Sequence, residues 1–150
     1  ESEFKKNRIE LKQTIEDDLP PTTGDSEQLF QVVFNLLQNS IQAIDDENGK
    51  IEIEAWLGNS KRKRDDAKAV CLEIRDNGCG IDEEHLAHIF DPFYSTKSDG
   101  SGLGLSICHS ILEEHDAGIE VDSTVGAGTV FRIMFRIDGI ESNQAQHQQE

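Results

Sequence analysis

No stretch of this 150-residue chain approaches the run of about 20 apolar residues that a membrane-spanning helix needs. The opening segment, ESEFKKNRIELK, holds no apolar secretion signal either. Cysteine is scarce: Cys71, Cys79 and Cys108 form no C-x-x-C pair, and an odd number cannot close into a disulfide framework. Together these absences predict a reducing, cytoplasmic setting. Positive charge is also in short supply, with 14 Lys+Arg against 30 Asp+Glu and a net charge of −16. Nucleic acid and anionic membranes both demand a basic face, so neither is expected as a partner. A phosphate-bearing ligand would have to be neutralised locally. The length fits one domain with tails, and a hydrophobic fraction of 35% fits an ordinary core plus some polar, unpacked sequence.

What is present reads as interleaved helices and strands. After LPPTTGD, Asp25 caps a helix and Gln28, three residues on, completes a capping box. Leu29, Val32, Val33, Leu36, Leu37, Ile41 and Ile44 then recur at three- and four-residue steps, predicting a long amphipathic helix over 26–45. Ile51, Ile53, Ala55 and Leu57 alternate with polar residues, as do Val70, Leu72 and Ile74; these two strands pair as a hairpin around the polar loop GNSKRKRDDAK. Asp82 caps a short helix carrying Leu86, Ile89 and Phe90, and a further helix runs through Leu105, Cys108, Ile111 and Leu112. Strands at 118–123 and 129–137 follow, and 8–16 reads as an edge strand. The order lacks a regular βαβ alternation, so the prediction is an α/β two-layer sandwich with a mixed sheet. The domain is expected over 8–138, with a residual linker at 1–7 and a disordered tail at 139–150. KRKR at 61–64, beside two aspartates, reads as a solvated loop.

Several residue groups could carry chemistry. Asn35 and Asn39 lie four apart on one helix face, with Gln42 three further on and the apolar stripe elsewhere. Amide oxygens are hard ligands suited to Mg²⁺, although a solvated polar face is the plainer alternative. Asp76 ends a strand and precedes Asn77-Gly78; a carboxylate there only accepts hydrogen bonds, which suits an exocyclic amine such as adenine's, whereas a turn-forming Asp is the alternative. Glycines cluster at 78, 80, 100, 102 and 104, and those at 102 and 104 sit at a helix start, where partial positive charge favours phosphate. Neither a Walker A motif nor a Rossmann fingerprint is present. Lys97, after FDPFYST, offers a point charge to a terminal phosphate. His85 and His88 stand three apart with no third ligand in view and read as solvated helix residues.

The order of these pieces makes them informative together. NLLQNSIQAI, DNGCGID, FDPFYSTK, GSGLGLSI and GAGTVF resemble, in register, the N, G1, F, G2 and G3 boxes of sensor histidine kinases, most of all the nitrogen-regulation type. That family shares a superfamily with gyrase, heat-shock chaperones and mismatch-repair ATPases. The resemblance implies an ATP-binding catalytic domain of Bergerat type, a mixed five-stranded sheet with three helices on one face. ATP would lie between the long helix and a lid over 90–103. On the family pattern Asn39, with Asn35 beside it, would ligate Mg²⁺; these two and Lys97 carry the catalytic assignment. Asp76 would take the adenine amino group, helped by Thr129 and a water, with Gly78, Gly80 and Ile81 around the base. Ser101, Gly102, Leu103, Gly104 and Leu105 would wrap the triphosphate, and Gln42 would join the site where many relatives carry a basic residue.

No histidine here has the context of a phosphoacceptor. The resemblance therefore implies that the γ-phosphate goes to a histidine on a dimerisation hairpin outside the chain, and thence to a response-regulator receiver domain. The isolated domain is expected to be monomeric, the full kinase a homodimer and this part cytoplasmic, whether or not the parent is membrane-bound. In hydrolytic superfamily members a Glu stands where Asn35 stands, and an amide cannot accept a proton at neutral pH, so slow hydrolysis is expected. Two rival readings are a serine kinase of the anti-sigma-factor kind and a nucleotide-sensing module without catalysis.

Overall fold

The computed structural model describes residues 8–45, 47–59, 68–94 and 104–137. Their elements, in order, are β1 (Glu10–Ile15), α1 (Ser26–Ala43), β2 (Lys50–Asn59), β3 (Lys68–Asp76), α2 (Glu83–Leu86), α3 (Gly104–Glu114), β4 (Gly118–Thr124) and β5 (Gly128–Arg136). The expected linker at 1–7, the KRKR loop, most of the expected lid and the tail at 139–150 lie outside the described residues.

The five strands form one mixed sheet in the order β1-β2-β3-β5-β4. β1 runs parallel to β2, with α1 as the crossover, and the other pairs are antiparallel. Alternation sorts the side chains: Ile53, Ile74 and Phe131 stand in register on the face turned to the helices, as do Leu72 and Ile133. The core forms where Val32 and Leu36 of α1 and Cys108, Ile111 and Leu112 of α3 close over Ile51, Ile74, Phe131 and Ile133. Each large side chain buried there contributes roughly 1.5–3 kcal/mol. Ile81, Leu86, Ile89 and Phe90 join the same core around α2, so the sandwich has the predicted two layers.

Some boundaries differ from the sequence reading. α1 ends at Ala43, because Ile44 turns extended (φ −96, ψ 111) and drives its side chain into the core. α2 spans only four residues; Ile89 and Phe90 lie in the turns beyond it. Asp25 caps α1 as expected, its Oδ1 accepting from the amides of Glu27 and Gln28 at 3.0 and 3.1 Å. The reciprocal bond comes from elsewhere: the Asp25 N–H donates to His115 Nε2 at 3.0 Å, in the place where a capping box would use Gln28. His115 Nδ1 in turn donates to the Ile111 carbonyl at 2.7 Å, so the C-terminal end of α3 pins the N-terminus of α1.

Candidate functional site

The strand ends gather one cluster of polar groups. Asp76 closes β3 on the helix-facing side and is only 5% exposed. Its Oδ1 accepts from the amides of Gly78 at 2.9 Å and Thr129 at 3.3 Å, which leaves Oδ2 without a partner among the described residues. Thr129 stands opposite Asp76 in the β3–β5 ladder and is equally buried. The Thr129 hydroxyl lies 2.8 Å from Ser123 Oγ, which accepts from the Ile81 N–H at 2.7 Å and reaches the Gly128 carbonyl at 3.0 Å. A carbonyl can only accept, so the single Ser123 proton goes to Gly128 and Thr129 donates to Ser123. Thr129 Oγ1 therefore keeps only acceptor capacity. Asp76 Oδ2 and Thr129 Oγ1 thus stand side by side as acceptors.

The loop after Asp76 is locked onto its neighbours. A side chain at Gly78 would meet the Ala43 carbonyl oxygen at 2.6 Å, and Gly80 (φ +76) sits against the Thr124 backbone. The missing side chains at 78 and 80 thus let the loop close on α1 and on the β4–β5 turn. Asn77 adds a clamp, accepting from the Lys50 N–H at 2.7 Å and donating to the Asn48 carbonyl at 2.9 Å.

α1 and α3 run antiparallel above this end. Asp25 touches His115 at one extreme, Asn35 touches Cys108 midway, and Gly104 starts α3 toward the C-terminal half of α1. Asn35 and Asn39 are half-buried and Gln42 is exposed. Cys108 Sγ donates to the Val32 carbonyl at 3.8 Å, so toward Asn35 it can only accept, and Asn35 Nδ2 donates to it at 3.7 Å. This turns Asn35 Oδ1 away from the thiol. Burial pushes the Cys108 thiol up, keeping it protonated and able to hold that arrangement. The start of α3 is a helix N-terminus, whose partial positive charge suits anions.

Residues 24–139 match the family of histidine kinase-, DNA gyrase B- and HSP90-like ATPases. The chain belongs to this family. It is an ATP-binding catalytic domain of the sensor histidine kinase type. The signal transduction histidine-protein kinase AtoS of Escherichia coli K12 is 38% identical over 131 residues, covering 87% of this chain and 20% of the relative. Sporulation kinase E of Bacillus subtilis 168 is 36% identical over 127 residues, 85% of this chain and 16% of the relative. The solved catalytic domain of histidine kinase ThkA, in a nucleotide-free form, aligns with a TM-score of 0.71 at 31% identity, covering 91% of this chain and 84% of that one. The chain spans about a fifth of the length of these curated relatives.

Within this histidine-kinase-type domain, the expected base-end residues Asp76, Gly78, Gly80, Ile81 and Thr129 fall at one place. Gly104 and Leu105 start α3, with Leu105 half-buried against the core. Lys97, Ser101, Gly102 and Leu103 lie outside the described residues. Sequence reasoning missed Ser123, Asn77 and Cys108 as supports of the site. Each acts through a partner at least 27 residues away, a contact that leaves no local pattern. A cavity of about 320 Å³ opens at the same end of the sheet, and Glu52, Arg75 and Asp122 in its wall belong to the outer face, away from α1. Among the described residues no helix is long and apolar enough to cross a membrane.

Proposed function

We propose that the domain binds ATP with its base against Asp76 and Thr129 and its phosphates toward the amides of α1 and the start of α3. The γ-phosphate then passes to a histidine on a dimerisation hairpin outside these residues. One observation carries the reading: a buried Asp76 whose Oδ1 is spent on two backbone amides while Oδ2 stays open, beside an acceptor-only Thr129. That pair is built to receive an exocyclic amino group. Asn35 and Asn39 fit a hard divalent cation, two neutral amide oxygens on one helix face, with Asn35 Oδ1 already turned from Cys108. Bound by these amides, Mg²⁺ would offset the negative charge of the triphosphate. Lys97, Ser101, Gly102 and Leu103 complete the phosphate end in this reading, and Gln42 supplies a neutral contact.

Transfer forms a bond from the acceptor imidazole nitrogen to the γ-phosphorus as the bond to the β,γ-bridging oxygen breaks, releasing ADP. The domain positions the nucleotide and does little covalent work, which matches phosphoryl transfer in general. Asn35 cannot accept a proton from water, so hydrolysis stays slow. The phosphohistidine then serves a receiver domain, and the reaction runs in the cytoplasm. The test is labelled ATP with this chain and a hairpin protein of a related kinase. Acid-labile phosphohistidine that requires Mg²⁺ and Asn39 is the expected product. Steady-state hydrolysis outpacing transfer with the hairpin present would overturn the assignment.

A further inference from the structure

We infer that the trough between α1 and the edge strand β1 docks an amphipathic helix of a partner protein, apolar on one side and basic on its flanks. The trough lies away from the nucleotide end, and the inference does not depend on the ATP reading.

Two helices do not cover five strands. α1 packs over β3 and β5 and α3 over β4, which leaves the helix-facing side of β1 open. Leu11 and Ile15 stand on that side, in register with Ile51 and Ala55, yet are 60% and 54% exposed. α1 turns Asn35 toward Cys108 of α3. At about 3.6 residues per turn, Phe30 and Phe34 then fall on its opposite flank, toward β1. They are 70% and 48% exposed, with rings stacked at 6.0 Å between centroids. Half-buried Ile53 and Leu57 of β2 form the floor. Apolar side chains exposed singly need no account, but four along one trough mark a contact surface.

The width fits a helix. Strands lie about 4.8 Å apart and helices pack about 8–10 Å apart, so a helix beside α1 rests over β1 and β2.

Charge selects the occupant. α1 carries one charged residue, Glu27, among its 18. The helix-facing side of β1 carries none, because Lys12 pairs with Glu52 on the outer face. Ala43 meets Gly78 at the nucleotide end, so the start of α1 and the end of β1 share the opposite rim. Exposed Asp17, Asp18 and Glu27 border the trough there. Such a surface receives apolar residues at three- and four-residue steps flanked by Lys or Arg. A second copy of this chain would bring the same acids and a further net charge of −16. The segments 1–7, 60–67, 95–103 and 138–150 hold at most one large apolar residue each, too few to fill the trough.

The probe is a labelled helical peptide built on the repeat LKKLLKL, titrated into the chain by fluorescence anisotropy, with LEELLEL as its acidic counterpart. Wild type should bind the basic peptide and not the acidic one. Phe30→Gln/Phe34→Gln should bind it about tenfold more weakly. Asp17→Asn/Asp18→Asn/Glu27→Gln should bind it about threefold more weakly and with less dependence on salt. The substituted side chains are exposed, and cooperative thermal melts check that both variants fold. No binding by wild type would overturn the inference, as would equal binding by the phenylalanine variant, the mark of charge attraction alone. A dimer in sedimentation velocity that the phenylalanine variant loses would overturn it in favour of a second copy.

Discussion

Glu73 and Asp76 lie three residues apart on β3 and are buried almost equally, at 6% and 5% exposure, but on opposite faces of the sheet. On the outer face Glu73 is matched on both oxygens: Oε1 meets Arg75 Nη2 at 2.8 Å, and Oε2 takes Arg132 Nη2 at 2.8 Å and Nε at 3.1 Å. On the helix side no cation pairs with Asp76 among the described residues; one oxygen holds two amides and the other holds nothing. A buried carboxylate saturated by the protein is architecture. One left half-saturated is an acceptor kept for something else.

This contrast can be broken at either end. The largest effect is expected from Glu73→Ala, which leaves Arg132 the longer ion pair with Glu120, at 3.5 Å, in place of its two close bonds to Glu73. Stability should fall by about 3 kcal/mol in chemical denaturation, with ATP affinity of the folded fraction unchanged. Acid titration sharpens the same point. Burial alone would raise the Glu73 carboxyl, but hydrogen bonds from Arg132 and Arg75 outweigh it and hold it below the ordinary value of 4.5. A carboxyl depressed on folding adds stability in full above its unfolded value and loses it as pH falls through the lower folded one. Wild type should therefore lose stability below about pH 4.5 by a component that Glu73→Gln lacks.

Asp76→Asn should do the reverse of Glu73→Ala. Its Oδ1 can still accept from Gly78 and Thr129, so the melting temperature should stay near wild type. ATP affinity should drop by about 1.5–3 kcal/mol, tenfold to a hundredfold, because an amide nitrogen then competes as a donor. A smaller effect is expected for Cys108→Ala, about 1 kcal/mol of packing together with a severalfold weaker dependence of nucleotide binding on Mg²⁺, read by titration at varied metal. His115→Ala should cost least, about 0.5–1 kcal/mol in a thermal melt, through loss of the Asp25 bond, and leave nucleotide affinity untouched. A nucleotide effect in His115→Ala exceeding that in Cys108→Ala would mean that the far end of α1 matters as much as its amide stripe.

Much of this was legible in the chain itself. The period of Val32, Leu36 and their neighbours marked α1, and the alternations at 51–57 and 70–74 marked a hairpin that the register joins as Ile51 with Asp76 through Asn59 with Lys68. The ordered boxes pointed to Asp76, Thr129 and the asparagines. What stayed hidden depends on distance along the chain. The parallel pairing of β1, the clasp of Glu73 by a residue 59 positions away and the proton direction at Thr129 arise only when strands settle side by side. His115 displaced Gln28 at the cap for the same reason: local pattern proposes a partner, and tertiary approach supplies a nearer one.

The parallel setting of β1 has a consequence for delivery. Glu10 pairs with Lys50 at the same rim where Ile51 pairs with Asp76 and Asp76 with Thr129, so the polypeptide enters the sheet beside its working edge. Cargo joined there by a short flexible tether would be held near that edge, at an effective concentration of the order of millimolar. Re-attached after Ile15, about 17 Å away along the strand, the same cargo would start from the opposite rim and visit the working edge less often.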